Sequence, residues 1–340
     1  SRGIRMVLSP VVNLATDGRD GVRVRVDGRV VLDRRAQRTT GRWLLPDRLA
    51  PGPHTIEIEL EARREGTTIA LRWDDGRPSP TDTRIATAVA AARASDAAVV
   101  VVGLEEGEFR DRSRLGLPGA QERLVRAVAA TGVPTVVVVV GGSAVTMPWL
   151  DEVGAVLMAW YPGEEGGPAV ADALCGDATP GGRLPITMPD REGRLPLTYD
   201  HHPTGRGDDY VDGSGAPLFP FGHGLSYTTF AWDSLVIDVL DGVAGPGARV
   251  RVAARIANTG TRPGDEVVQL YLRDELTSVT QPLLRLAGVS RVTLAPGAST
   301  RVVFTLDADA LALLDRDLRR TVEPGRFRIM LGASSRDIRL

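Results

Sequence analysis

The sequence holds 340 residues, 43% of them hydrophobic and 25% charged, with a formal net charge of −2 and a pI near 6.1. Such a chain is long enough for two or three domains with real cores, and its near-neutral balance excludes a global basic field for nucleic acid or anionic membrane. A single cysteine, Cys175, cannot form an internal disulfide, and four scattered histidines give no metal-ligand cluster, so neither a structural metal nor a cofactor is expected.

All 41 basic residues are arginine, as in the product of a GC-rich coding sequence. No apolar run reaches the roughly 18 residues that a membrane-spanning helix needs. Ser1 opens the chain without signal-peptide architecture and in the middle of a pattern, as expected of the back part of something longer. The compartment stays open between extracellular and bacterial cytoplasm.

Residues 1–78 alternate like short strands punctuated by turns. Val22-Arg-Val-Arg-Val alternates strictly, Asp27-Gly28 is a hairpin turn signal, and His54–Leu60 and Thr68–Trp73 alternate again around a turn region at Arg63–Gly66. This is the pattern of part of a β-sandwich. Asp74-Asp75 reads as a polar strand end, and residues 76–81 as a linker.

From Asp82, a plausible N-cap, the period turns helical, with Ile85, Val89 and Ala92 on one face. Val99–Val102, apolar on both faces, reads as a buried strand. It breaks at Gly103 into a loop carrying Glu105, Glu106, Glu108, Arg110, Asp111, Arg112 and Arg114, then Leu115-Gly-Leu-Pro-Gly and a helix near 119–131. A second buried strand spans Thr135–Val140, a third Ala155–Ala159, and a helix Pro168–Leu174, with Cys175 on its apolar face. Strand–helix repeats at this spacing predict a mostly parallel sheet with helices on both faces.

Working groups in such sheets sit beyond the carboxyl ends of the strands, which is where the charged loop lies. As bare charge, the loop reads first as a solvated surface, and Asp111-Arg112 as an ion pair that shapes it. Gly141-Gly142 lacks the rest of a dinucleotide or P-loop fingerprint. Glu164 and Glu165 precede a Gly-Gly helix entry and either line a cleft or cap that helix.

Residues 177–230 are rich in Gly, Pro, Asp and aromatics, too long for an idle connection. They are expected to wrap a surface or line a site, with the aromatics of Phe219–Tyr227 in a seam between domains. Strands then return at 248–257, 266–272, 289–294, 301–306 and 326–331, the length of one immunoglobulin-like sandwich.

Several of these stretches, taken in order, resemble family 3 glycoside hydrolases. They are the loop Val99–Val125, Ala159-Trp-Tyr-Pro-Gly-Glu-Glu-Gly-Gly, Leu174–Pro189 and Pro217–Tyr227. Asn258-Thr-Gly, Glu266–Tyr271, Leu294-Ala-Pro-Gly and Glu323-Pro-Gly-Arg-Phe resemble the family's fibronectin type III-like module, and residues 1–78 the later half of a protective-antigen-type β-sandwich. The resemblance implies a multidomain α/β plus all-β chain: a partial β-sandwich over 1–78, an α/β sandwich over 79–230 with its wrapping segment 177–230, and an immunoglobulin/fibronectin III-like sandwich over 231–340.

It further implies a retaining β-glycosidase of β-glucosidase type, hydrolysing terminal non-reducing β-D-glycosides with two carboxylates. The family's nucleophile is an Asp on a preceding (β/α)8 barrel, absent here and to be supplied by the same gene or another chain. The acid/base is a Glu in a loop of form E-x-E-G-x-D-R. Aligning on Asp111-Arg112 and Leu115–Gly119 puts Glu108 on that position, with Phe109 where the family has Gly. An alternative register puts the Glu-Gly pair at Glu106-Gly107.

Glu108 is therefore the first choice for the acid/base and Glu106 the alternative, with Glu105 and Arg112 as substrate-binding candidates. Flanking arginines lower a carboxyl pKa and so oppose an acid role unless they pair elsewhere. The chain alone is expected not to hydrolyse glycosides, and to expose a sheet edge and apolar surface. The competing reading is a non-catalytic carbohydrate-binding or scaffold protein.

Overall fold

A computed structural model describes residues 4–6, 11–16, 21–33, 41–44, 52–61, 69–74, 79–109, 111–204, 209–240 and 249–340. The expected turn at 63–66, the first half of the linker at 76–81, Asp75 and Arg110 lie outside them. The chain divides into two compact units, Ser1–Thr87 and Ala88–Leu340.

The first unit is antiparallel. Strands β1 (Ile4–Met6), β2 (Val11–Thr16), β3 (Gly21–Val26), β4 (Arg29–Asp33), β5 (Gly41–Leu44), β6 (Gly52–His54), β7 (Ile56–Glu61) and β8 (Ile69–Asp74) pair as β1-β6, β5-β2-β8 and β4-β3-β7. Alternation decides the faces of β3: Val22, Val24 and Val26 are buried against Val31, Leu32, Ile56 and Ile58. Arg23 and Arg25 point the other way, to Asp33, Glu57 and Glu59. The β3–β4 hairpin turns on Asp27 and Gly28, both at positive φ (50° and 79°), as a two-residue turn requires.

Helix α1 (Pro80–Arg93) begins earlier than its periodicity implied. Ser79, not Asp82, is the cap. Its hydroxyl receives the Asp82 N–H at 3.1 Å and donates to the Asp82 carboxylate at 2.6 Å, a reciprocal box with Pro80 in the first turn.

In the second unit, β9 (Ala98–Gly103), α2 (Gln121–Ala129), β10 (Thr135–Val140), β11 (Ala155–Trp160) and α3 (Gly166–Cys175) form a parallel sheet in the order β11-β10-β9 with its helices. Val100, Val102, Val137 and Val139 pack with Ala92 of α1 and Val125 and Val128 of α2. On the opposite face Val138 is buried, but Val99 and Val101 of the outer strand β9 are 51% and 63% exposed. Apolar on both faces, β9 is thus buried on only one among the described residues, because α1 and α2 cover a single side. Cys175, the last residue of α3, is exposed rather than inward: the helix ends there, at Gly176 in the left-handed conformation.

The segment from 177 to 229 doubles back on itself, Met188 and Phe219 bridging antiparallel. Leu218 and Phe219 pack on the valine core, while Phe221 stacks on Tyr199 at 4.3 Å, which meets Tyr271 edge-on at 6.0 Å. Arg183 pairs with Glu266 at 2.6 Å, both side chains nearly fully buried. The segment therefore ties the parallel sheet to the sandwich that follows.

That sandwich faces β12 (Phe230–Val239), β13 (Val250–Asn258) and β16 (Ser299–Leu306) against β14 (Gly264–Asp274), β15 (Arg285–Leu294) and β19 (Phe327–Gly332). The short α4 (Ala308–Leu311) and the strand pair β17 (Leu313–Leu314) and β18 (Arg320–Thr321) lie between β16 and β19 in sequence. Its core runs through Val252, Ile256, Val268, Leu270, Leu306 and Leu331. The buried Asn258 closes its corner. Its carboxamide donates to Arg262 and Leu294 carbonyls (2.8 and 2.9 Å) and accepts from Thr228 and the Gly260 amide.

Candidate active site

The parallel register brings the carboxyl ends of β9, β10 and β11 level, with Val140 opposite Gly103 on one side and Trp160 on the other. Gly103 is dictated by that approach, since a Cβ there would stand 2.4 Å from the Val140 carbonyl oxygen. Gln121 at the start of α2 satisfies this strand end, accepting from the Gly103 amide at 2.7 Å and donating to its carbonyl at 2.9 Å. The loop is also tied further along: the Leu115 amide donates to Glu192, and the Thr146 amide to the Leu115 carbonyl.

Within the loop the candidate carboxylates separate. Glu106 turns inward, its side chain 17% exposed. It accepts from the Gly142 amide at 2.7 Å and from the hydroxyls of Ser143 and Tyr161, and the Arg112 guanidinium stands 3.6 Å away. Hydrogen bonds from Ser143 and Tyr161, then from the Gly142 amide, together with the Arg112 charge, outweigh its partial burial and hold its pKa below the ordinary glutamate range. It is therefore an anion at neutral pH. Glu105 and Glu108 are exposed on the same loop.

Arg112 does not pair with Asp111 as expected. Asp111 is exposed, and the Arg112 guanidinium instead reaches over the end of β10, to Glu106, the Ser143 hydroxyl at 2.7 Å and the Ala144 carbonyl at 3.3 Å. Three acceptors clustered at one strand end outcompete a single neighbouring carboxylate in water. Glu165 occupies the N-cap position of α3 but makes no side-chain cap bond, and Glu164 is exposed beside it. No group of three or more metal-ligating side chains occurs among the described residues, and no described helix is long and apolar enough to cross a membrane.

Phe109, directly after Glu108, is 93% exposed and sits at φ +62°, a conformation that favours glycine. Phe109 thus holds a backbone shape that a Gly would take without steric strain. Phe109→Gly is expected to stabilise the unit modestly, by about 0.5–1 kcal/mol, because relief of left-handed strain slightly exceeds glycine's entropy in the unfolded chain. A rise in unfolding midpoint measures it, and a fall contradicts it.

Ser143, Gly142 and Tyr161 do not stand out as functional in the sequence. The signal there was Gly-Gly-Ser directly after a buried strand, and Tyr161 two residues beyond the end of another.

Residues 7–227 match the glycosyl hydrolase family 3 C-terminal domain, and residues 266–335 a fibronectin type III-like domain. A β-xylosidase of Formosa agariphila is 42% identical over 73% of the chain and 35% of its own length. A periplasmic β-glucosidase of Salmonella typhimurium is 36% identical over 73% of the chain and 34% of its own. The chain thus spans about a third of the length of the curated relatives it matches.

A β-glucosidase from Listeria innocua, solved with isofagomine, superposes with a TM-score of 0.71 at 30% identity, over 76% of this chain and 38% of that one. One from Erythrobacter marinus does so with a TM-score of 0.71 at 37% identity, over 78% and 37%. With a family model matched across all of its parallel sheet and nearly all of its wrapping segment, and a sandwich of the matching kind behind them, the chain belongs to glycosyl hydrolase family 3.

Proposed function

We propose that this chain supplies the acid/base part of a retaining β-glycosidase acting on terminal non-reducing β-D-glycosides, of β-glucosidase type, with Glu108 as the general acid/base. The observation that carries this reading is the division of labour in the loop. Glu106 has both oxygens engaged by donors that favour its anion, so it is poorly suited to give up a proton at neutral pH. Glu108, two residues on, stands exposed beyond the strand ends.

In this reading an aspartate on a (β/α)8 barrel, outside these 340 residues, attacks the anomeric carbon. The Glu108 carboxyl donates its proton to the departing glycosidic oxygen. The resulting carboxylate then takes a proton from water as that water displaces the aspartate from the glycosyl-enzyme. Glu105 and Arg112 are substrate-side candidates. Arg112 acts chiefly on Glu106 and Ser143. Three domains carry the arrangement: 1–78, 79–230 and 231–340.

The test is a panel of chromogenic β-glycosides offered to the chain alone and to the chain combined with a barrel-bearing polypeptide. The expected result is hydrolysis in the combined sample only, with β-glucosides or β-xylosides cleaved fastest. Hydrolysis by the chain alone would overturn the assignment of the nucleophile to a barrel. No hydrolysis in a correctly assembled sample would favour a non-catalytic carbohydrate-binding role.

A further inference from the structure

Glu106 does more than avoid the acid role. Its three hydrogen-bond donors come from two other strand ends: Gly142 and Ser143 follow β10, and Tyr161 follows β11. One carboxylate from the β9 loop thereby crosses the whole sheet edge.

The far anchor is specifically shaped. The β10–β11 register slips after Val139, which faces Met158, so that Val140 faces Trp160. Trp160 itself takes φ +53°, and its carbonyl accepts from the Gly141 amide at 3.1 Å. A bulge of this kind re-aims the side chain that follows it, and here that side chain is Tyr161. Gly142 makes room for it, since a Cβ at Gly142 would lie 2.5 Å from the Tyr161 ring and 2.9 Å from its hydroxyl oxygen. The ring is otherwise largely open to solvent, 64% exposed, so core packing does not account for its placement.

We propose that Tyr161 is a positioning residue: its hydroxyl, together with the Gly142 amide and Ser143, pins Glu106 across the three strand ends and so fixes where Glu108 stands. The link to Glu108 rests on the acid/base reading above, whereas the pinning of the loop does not. Glu106 is the near end of the latch. Arg112 braces it by holding both Glu106 and Ser143.

Backbone hydrogen exchange of the 340-residue chain, followed by mass spectrometry, tests the pinning. Tyr161→Phe and Glu106→Gln should each speed exchange in the peptide covering 104–112 by roughly tenfold or more, the effect of losing one charge-assisted hydrogen bond. The double variant should exceed Glu106→Gln by little, because both remove the same contact. Gly142→Ala, which pushes the ring aside, should act in the same direction. Peptides from 264–274 should exchange as in the parent, which establishes that the variants fold.

Unchanged loop exchange in Tyr161→Phe alongside a rise in Glu106→Gln would overturn the role of Tyr161. In the assembled enzyme, Tyr161→Phe should lower kcat for alkyl glycosides well below that for dinitrophenyl glycosides, with KM little changed, because only poor leaving groups need the proton. Equal losses on both would make Tyr161 merely structural. If Glu108→Gln leaves hydrolysis unchanged, the acid/base reading falls while the exchange result still decides the latch.

Discussion

Replacing Glu108 by Gln is expected to slow hydrolysis of alkyl and phenyl β-glycosides by about 10²–10⁴-fold in the assembled enzyme, the range of a general acid–base contribution. The amide keeps the size of the side chain but can neither donate a proton to the leaving oxygen nor take one from water. Loss should therefore shrink as the leaving group becomes a better one. With a dinitrophenyl glycoside the first step needs no proton, and the glycosyl-enzyme should accumulate because the second step still lacks its base.

Glu106→Gln should give the same pattern at smaller amplitude. A Gln at 106 still accepts hydrogen bonds through one oxygen, and its effect reaches the substrate only through the placement of the loop. A larger loss at Glu106 than at Glu108 would reverse the two assignments. The pH dependence separates them further. Glu106 has a folded-state pKa lowered by its donors, so the stability it contributes is present above the unfolded glutamate value and is lost as pH falls through the lowered folded one. The latch therefore stays intact through neutral and mildly acidic pH.

The second large effect is expected at the buried pair that ties the wrapping segment to the C-terminal sandwich. Arg183 and Glu266 meet at 2.6 Å with side chains 8% and 2% exposed. The Glu266 oxygen that Arg183 holds also accepts from the Val267 amide at 2.9 Å. Arg183→Met would leave a carboxylate buried with one backbone donor and only the Arg339 charge, which makes no ion pair with it, to balance it. The cost is expected to be about 3–5 kcal/mol, the usual penalty for orphaning a buried charge.

Replacing both partners by apolar residues should recover most of that loss, because the pair itself repays little more than its own desolvation. The measurement is denaturant unfolding followed by proteolytic susceptibility at 177–229, since a chain of two units need not unfold in one step. If Arg183→Met costs under about 1 kcal/mol, within the range of a solvent-exposed pair, then water reaches this contact and the seam is loosely packed.

Much of the fold and part of the site were legible in the sequence. The valine runs, the break at Gly103 and the Gly stops specify a parallel sheet by local chemistry alone, and alternation in Val22–Val26 specifies which residues face inward. The charged loop after β9 was visible for the same reason: its carboxylates follow directly on a buried strand, at the end where parallel sheets hold their working groups.

What escaped the sequence depends on register between distant segments. Glu106 meets Gly142 and Tyr161 across 36 and 55 residues, and only a one-residue bulge at Trp160 turns Tyr161 toward it. Periodicity carries no trace of such a slip. Sequence adjacency points Arg112 to Asp111, because nothing local announces the cluster of acceptors at the end of β10. For a related reason the valine run reads as covered on both sides: residue type shows that a strand can be, whereas Val99 and Val101 show that among the described residues one side of β9 is open.

Azide rescue of Glu108→Ala in the assembled enzyme, with a dinitrophenyl β-glycoside, tests whether Glu108 is the acid/base. If Glu108 is the acid/base, its removal opens a site where azide intercepts the glycosyl-enzyme without needing a base. The rate should then rise with azide concentration, and the product should be a glycosyl azide of retained β configuration. Absence of rescue in Glu108→Ala, with rescue in Glu106→Ala instead, would move the catalytic carboxyl to Glu106.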